Sequence, residues 1–257
     1  MPYAAFDLGG RTAIVTGAGR GLGRGMAEAL AEAGARVVCA GRTGASIEET
    51  AGKIRAAGGQ SEAFLFDAVK REDCSRLVAE TAARHGKVDI MVVSHGIALA
   101  APAVDLADRD WSETIAVNLT GAFLCAQAAG RQMIAQGKGG SIVFISSTAS
   151  LVGFQDLAAY GASKGGMDQL CRQLCVEWGP HNIRVNAVNP GYTTSNMAGV
   201  DERHAAVGLD EEIRRMTPLG RRGSVAEIAG PVVFLASDAA AFVSGVCLAV
   251  DGGYCAL

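Results

Sequence analysis

Short apolar runs rich in β-branched residues alternate with amphipathic stretches along most of the chain. The runs predict strands at Thr12–Thr16, Arg36–Ala40, Glu62–Phe66, Asp89–Ser94, Ser141–Ser146, Arg184–Asn189 and Val246–Asp251. Most are apolar at every position rather than at every second one, which suits strands covered on both faces. Between them, helical spacing predicts helices at Gly21–Ala33, Ser46–Ala57, Arg71–Arg84, Trp111–Gln136, Ala158–Trp178 and Val225–Ala236. Strand–helix alternation of this kind predicts an α/β fold: a doubly wound, parallel, seven-stranded sheet with helices on both faces, made by one domain over residues 1–257. Ligands of such sheets bind beyond the carboxyl ends of the strands, at the point where the strand order reverses. The stretch 194–218 is the least regular and carries Met197 and a run of charges, so it reads as a substrate lid.

Composition narrows the function classes. The 257 residues are 49% hydrophobic and 19% charged, with a formal net charge of −3, a balance that offers no basic field for nucleic acid. No window is apolar enough to span a membrane. The opening MPYAAFDLGG lacks a basic segment followed by an apolar core, which predicts a cytoplasmic protein. The seven cysteines sit inside apolar runs without metal-ligand spacing, so they read as small buried residues and no metal is expected.

The first strand runs into Thr16-Gly17-Ala18-Gly19-Arg20-Gly21-Leu22-Gly23. A glycine-rich turn between a strand and a helix lets the backbone approach a pyrophosphate, which then meets the positive end of the helix dipole. The second strand ends in Ala40-Gly41-Arg42-Thr43, with no carboxylate to bind an adenosine ribose. Arg42, with Arg20, therefore favours NADP(H) over NAD(H), the bland alternative being a solvated loop charge. Tyr160 and Lys164 are four apart at the start of a helix and so share a face. A cation beside the phenol would favour its ionised form and make Tyr160 a proton-transfer group for a carbonyl/alcohol pair. Ser147 ends a buried strand, where its hydroxyl would donate to a substrate oxygen. Asn118 is a polar amide among apolar residues and needs partners, an ordered water being one.

These ordered motifs resemble the short-chain dehydrogenase/reductase family, in the form whose whole chain is one Rossmann-type domain. Asn189-Pro190-Gly191, Pro218-Leu219-Gly220-Arg221 and Asp251-Gly252-Gly253 extend the resemblance to the C-terminus. It implies a tetrad of Asn118, Ser147, Tyr160 and Lys164. Asn118 would hold a water linking Lys164 to solvent, and Lys164 would lower the Tyr160 pKa and hold the nicotinamide ribose. Gly17, Gly19, Arg20, Gly21, Leu22 and Gly23 would line the cofactor, Asp67 and Ala68 would meet adenine, and Gly96, Pro190, Gly191 and Thr193 would complete the cleft. One departure stands out. The family's Asn-Asn-Ala-Gly is here Val93-Ser94-His95-Gly96, and His95 either touches substrate or, as preferred, caps the strand end.

By the same resemblance, Ala98, Ser150, Gln155, Tyr192 and Met197 would face the substrate, with Arg203, Arg214 or Arg215 able to swing in from the lid. The preferred reading is an oxidoreductase of small free substrates: ketones, polyols or sugar acids. The opening Phe6–Arg11 and the Gly19–Gly23 loop resemble the gluconate and deoxygluconate dehydrogenase branch. The alternatives are a 3-oxoacyl-carrier-protein reductase, whose acidic partner would find only Lys138 as a nearby cation, and a catalytically silent NADP-binding regulator. The resemblance further implies a homotetramer, paired through the helices at Trp111–Gln136 and Ala158–Trp178, whose small residues allow close approach, and through the segment Val246–Leu257.

Overall fold

A computed structural model of the chain describes residues 4–195 and 209–257. Seven parallel strands form one sheet in the order β3-β2-β1-β4-β5-β6-β7. They are β1 (Thr12–Thr16), β2 (Arg36–Gly41), β3 (Gln60–Leu65), β4 (Ile90–Val93), β5 (Gly140–Ile145), β6 (Ile183–Pro190) and β7 (Cys247–Val250). The chain winds outward from β1 to β3 and then continues on the other side of β1 with β4, so the order reverses between β1 and β4.

The continuous apolar strands follow from burial on both faces. Ile142 and Phe144 of β5 enter one core, while Val143 and Ile145 of the same strand enter the other. The first core is closed by α3 (Arg71–His85), α5 (Gly121–Gln136) and α6 (Ala158–Trp178). The second is closed by α1 (Gly21–Glu32), α2 (Gly44–Ala56) and α8 (Val225–Ala236). This is the doubly wound arrangement that the alternation predicts.

Most strand and helix ends shift by one or two residues from the sequence reading, and three differences have a physical cause. β3 begins at Gln60, two residues before the predicted start, because Gln60 and Ser61 pair with Arg36 and Val37 of β2 at the sheet edge, where polar side chains are tolerated. The helix predicted from Trp111 starts earlier, as α4 (Asp108–Ile115), and reaches α5 through a π-helical turn at Ala116–Thr120. Such turns mark functional sites, and this one carries Asn118. Within the expected lid, residues 196–208 lie outside the described residues. At its far end an unpredicted helix, α7 (Leu209–Met216), buries Ile213. Among the described residues no helix is long and apolar enough to cross a membrane.

Candidate active site

The carboxyl ends of β1 to β6 open on one groove of about 530 Å³. Its floor is the Gly17 to Gly23 turn, and the loops after β2, β3, β4 and β6 form its walls. Every residue expected to hold a dinucleotide, except Tyr160, lines it. Gly17 has φ +68°, and a side chain there would come within 2.9 Å of the His95 backbone. A Cβ on Gly23 would collide with the Gly17 carbonyl oxygen. The turn is therefore packed as tightly as backbone allows. α1 begins behind it without a side-chain cap, leaving its first N–H groups available at the groove. Arg20 and Arg42 are exposed along the same rim. Cradle, dipole and cations fit a phosphorylated dinucleotide. The carboxylate of Asp67 accepts from Val69 N at 3.3 Å, and the Thr193 hydroxyl donates to Ser195 O at 3.1 Å.

Next to the groove, α6 brings Tyr160 and Lys164 together, both buried, with the ammonium 5.7 Å from the centre of the phenol ring. The Ser147 side chain faces the Tyr160 phenol closely enough to favour its ionised form. Ser147 sits just past β5, and its hydroxyl accepts from Ala149 N at 3.1 Å, which fixes the turn. Lys164 Nζ donates to Ile145 O at 2.7 Å.

The titration of the pair departs from expectation. Burial pushes the Tyr160 phenol above its ordinary value, and the Ser147 side chain only partly offsets this. Burial also pulls the Lys164 ammonium down to about 8, against the charge of Asp168. In this pocket desolvation is the leading cause of both shifts.

Asn118 is tied into the protein through its side-chain amide. Its Nδ2 hydrogens go to Ile97 O at 2.9 Å and Ser163 Oγ at 3.0 Å, and its Oδ1 accepts from Ile97 N at 2.9 Å. Both amide hydrogens are spent within the protein, so the side chain works as a clamp on the loop after β4. Ser163 is a support that sequence reasoning missed. Its position three residues after Tyr160, donating back to Tyr160 O at 2.7 Å, was the available signal.

His95 lies under the groove, its Nδ1 2.8 Å from Thr16 Oγ1. Thr16 Oγ1 also accepts from Ser94 N at 3.0 Å and donates toward Val92 O at 3.4 Å, so the hydroxyl ties the imidazole to the ends of both β1 and β4. Burial, and then the Lys164 charge, hold this imidazole down to about 3.

The expected substrate wall is only partly assembled. Tyr192 lines the groove mouth and meets Phe154 and Tyr254 edge-on, with ring centres 6.1 and 5.7 Å away. The Ser150 hydroxyl lies 2.6 Å from both Ser147 O and Asp168 Oδ2 and so supports the Ser147 turn. Gln155 is exposed and Ala98 half-buried, and neither lines the groove. Met197 and Arg203 lie outside the described residues, while Arg214 and Arg215 are exposed on α7. Lys138 is corrected: it precedes β5 and so stands at the amino edge of the sheet, a strand's length from the groove.

Comparisons with known proteins agree with this geometry. A family model described as Enoyl-(Acyl carrier protein) reductase matches residues 17–255. The D-threitol dehydrogenase of Mycolicibacterium smegmatis is 37% identical over 97% of this chain and 94% of its own length. The NAD-dependent glycerol dehydrogenase of Listeria innocua is also 37% identical, over 97% of this chain and 95% of its own. The crystal structure of a gluconate 5-dehydrogenase from Burkholderia cenocepacia J2315, in complex with NADP and tartrate, superposes with a TM-score of 0.94 at 36% identity, covering 98% of each chain. The chain belongs to the short-chain dehydrogenase/reductase family of NAD(P)-dependent oxidoreductases.

Proposed function

We propose that the protein moves a hydride between NADP(H) and the carbonyl or secondary alcohol of a small free polyol, sugar acid or related ketone, with Tyr160 as general acid–base. The observation that carries this reading is the buried Tyr160 phenol with the Lys164 ammonium 5.7 Å from the centre of its ring, Lys164 itself lining the groove. Bound in that groove, the nicotinamide would supply the hydride chemistry. The raised phenol stays protonated at neutral pH, the form needed to protonate a developing alkoxide. The Ser147 hydroxyl orients the reacting oxygen, and the Lys164 ammonium stabilises charge that forms on the phenolic oxygen.

For the cofactor, Arg20 and Arg42 at the rim and the absence of a carboxylate at the end of β2 support NADP(H), with NAD(H) as the second possibility. For the substrate, the relatives named for threitol, glycerol and gluconate support a hydroxylated small molecule. The placement of Lys138 at the far edge of the sheet argues against an acidic carrier protein. Trp111, Ile134 and Val176 are exposed on α4, α5 and α6, which supports burial of these helices in a homotetramer, and sedimentation at micromolar concentration tests that assembly.

The deciding experiment is a turnover screen with NADPH and NADH against keto-polyols, keto-sugar acids and a 3-oxoacyl thioester, run beside Tyr160→Phe. We expect NADPH-linked turnover of a hydroxylated ketone, reduced ~10²–10⁴-fold in the variant while cofactor affinity is kept. Turnover of the thioester alone would select the carrier reading. Intact cofactor binding without any turnover would select the regulator.

A further inference from the structure

Asp168 is a carboxylate on the apolar face of α6, only 3% exposed among Met167, Cys171 and Leu174. A charged side chain is seldom buried so deeply unless it is paired. One oxygen, Oδ2, accepts from Ser150 Oγ at 2.6 Å and from Asn189 Nδ2 at 2.8 Å. The same two donors lie 2.6 and 3.2 Å from the carbonyl oxygen of Ser147. Helix α6, the turn after β5 and the end of β6 are thus joined behind Ser147. Resting on the reading of Tyr160 and Lys164 above, we propose that Asp168 is a positioning residue for the reaction: its carboxylate fixes the turn that presents the Ser147 hydroxyl and keeps a negative charge one helical turn behind Lys164.

The two oxygens separate these roles. The tie uses Oδ2 alone. Oδ1 is buried with no hydrogen-bond partner among the described residues, as is Oδ1 of Asn189. A buried acceptor without a donor is costly, ~1–3 kcal/mol. An asparagine at 168 would keep an acceptor at the tie and replace the unpaired second oxygen by an amide N–H. What the carboxylate adds over that amide is charge, and Lys164 is the buried cation four residues away. Burial holds the Lys164 ammonium at about 8, and the Asp168 charge opposes that fall. The titratable groups around Lys164 are Tyr160 and Asp168 on α6 and His95 from the loop after β4. Those around Asp168 are Lys164 and the thiols of Cys171 on α6 and Cys247 on β7. Among these, Asp168 alone opposes the loss of the Lys164 proton through its charge.

The test compares Asp168→Asn, which removes charge and keeps shape, with Ser150→Ala, which loosens the tie and keeps charge. Lys164 is titrated in the cofactor-free enzyme by ¹³C NMR of lysine-labelled protein, its signal assigned with Lys164→Arg. Turnover is measured against pH with the best substrate of the screen above. In Asp168→Asn we expect the Lys164 midpoint to fall below its wild-type value of about 8, and the alkaline limb of the turnover profile to move with it. In Ser150→Ala we expect turnover to fall about tenfold, as for a reacting group held out of place, with the Lys164 midpoint and cofactor affinity unchanged. A Lys164 midpoint and pH profile that stay at wild type in Asp168→Asn would overturn the charge role. Full turnover in Ser150→Ala would overturn the tie. Full activity of Tyr160→Phe would instead overturn the reading of the site, and the NMR titration would still report on the Asp168–Lys164 pair.

Discussion

Asn118 holds both backbone groups of Ile97, accepting from its N–H and donating to its carbonyl at 2.9 Å each. One amide thus closes the loop after β4 onto the π turn that interrupts α4 and α5. The loop carries Gly96, where a Cβ would stand 3.3 Å from Asn118 Oδ1 and 3.7 Å from Lys164 Nζ. The clamp therefore sets the distance between the groove wall and the lysine.

Asn118→Ala should leave the Ile97 groups and the Ser163 hydroxyl short of partners and cost about 1–3 kcal/mol of stability, read by urea denaturation. Asn118→Asp should be worse than its shape suggests, because its second oxygen would face the Ile97 carbonyl, an acceptor against an acceptor. Activity should fall in both variants. If Asn118→Asp proves as stable as wild type, the clamp is not the role of this side chain.

Two glycine substitutions should act in opposite directions. Gly23→Ala puts a methyl group against the Gly17 carbonyl oxygen, backbone that cannot give way cheaply. It should open the turn and weaken dinucleotide affinity, measured by titration of the bound nucleotide's fluorescence. Gly52→Ala, inside α2, meets nothing nearer than the Arg55 guanidinium at 3.8 Å. It should raise the melting temperature, because alanine is favoured over glycine in a helix by up to ~1 kcal/mol.

The parts of the molecule legible in the sequence are those where one physical rule acts alone. Strand β5 is apolar at successive positions because both its faces are covered, and periodicity reads that directly. Tyr160 and Lys164 meet because helical spacing places them one turn apart. The π turn at Asn118 escaped notice because one extra residue barely disturbs an amphipathic pattern. Helix α7 offers only Ile213 as a buried residue, so hydrophobic spacing has nothing to count. Its acidic first turn and basic last turn, which suit the helix dipole, were the usable signal. The tie of Ser150 and Asn189 to Asp168 is not legible in the sequence, because spacing along the chain does not say which way a hydroxyl points, nor that a lone acidic residue on an apolar face has partners on two other elements.

His95 gives the enzyme a pH-dependent stability with a definite sign. The folded imidazole is held at about 3, against 6.5 ordinarily. Between these values the unfolded chain binds the extra proton and the folded chain does not, so stability falls as pH drops below about 6.5. Above that pH both states are neutral and the residue adds no slope. At its steepest the effect is ~1.4 kcal/mol per pH unit. Denaturation at a series of pH values should show a shallower acid slope for His95→Gln than for wild type. Identical slopes would mean that the imidazole titrates normally in the folded protein.

We expect Arg42 and Arg20 to decide which dinucleotide the groove prefers. Both guanidiniums are exposed at the rim, and Arg42 follows directly on the last residue of β2. A guanidinium there can take a 2′-phosphate through two hydrogen bonds, whereas a carboxylate would repel that phosphate and accept from the ribose hydroxyls. Arg42→Asp should therefore lower affinity for NADPH and raise it for NADH, inverting the ratio of the two. Arg20→Ala should weaken NADPH alone, since it removes a cation without adding an acceptor. Binding titrations of both nucleotides against the three proteins check this. If wild type already binds NADH more tightly, or if Arg42→Asp weakens both nucleotides equally, the 2′-phosphate does not lie at Arg42.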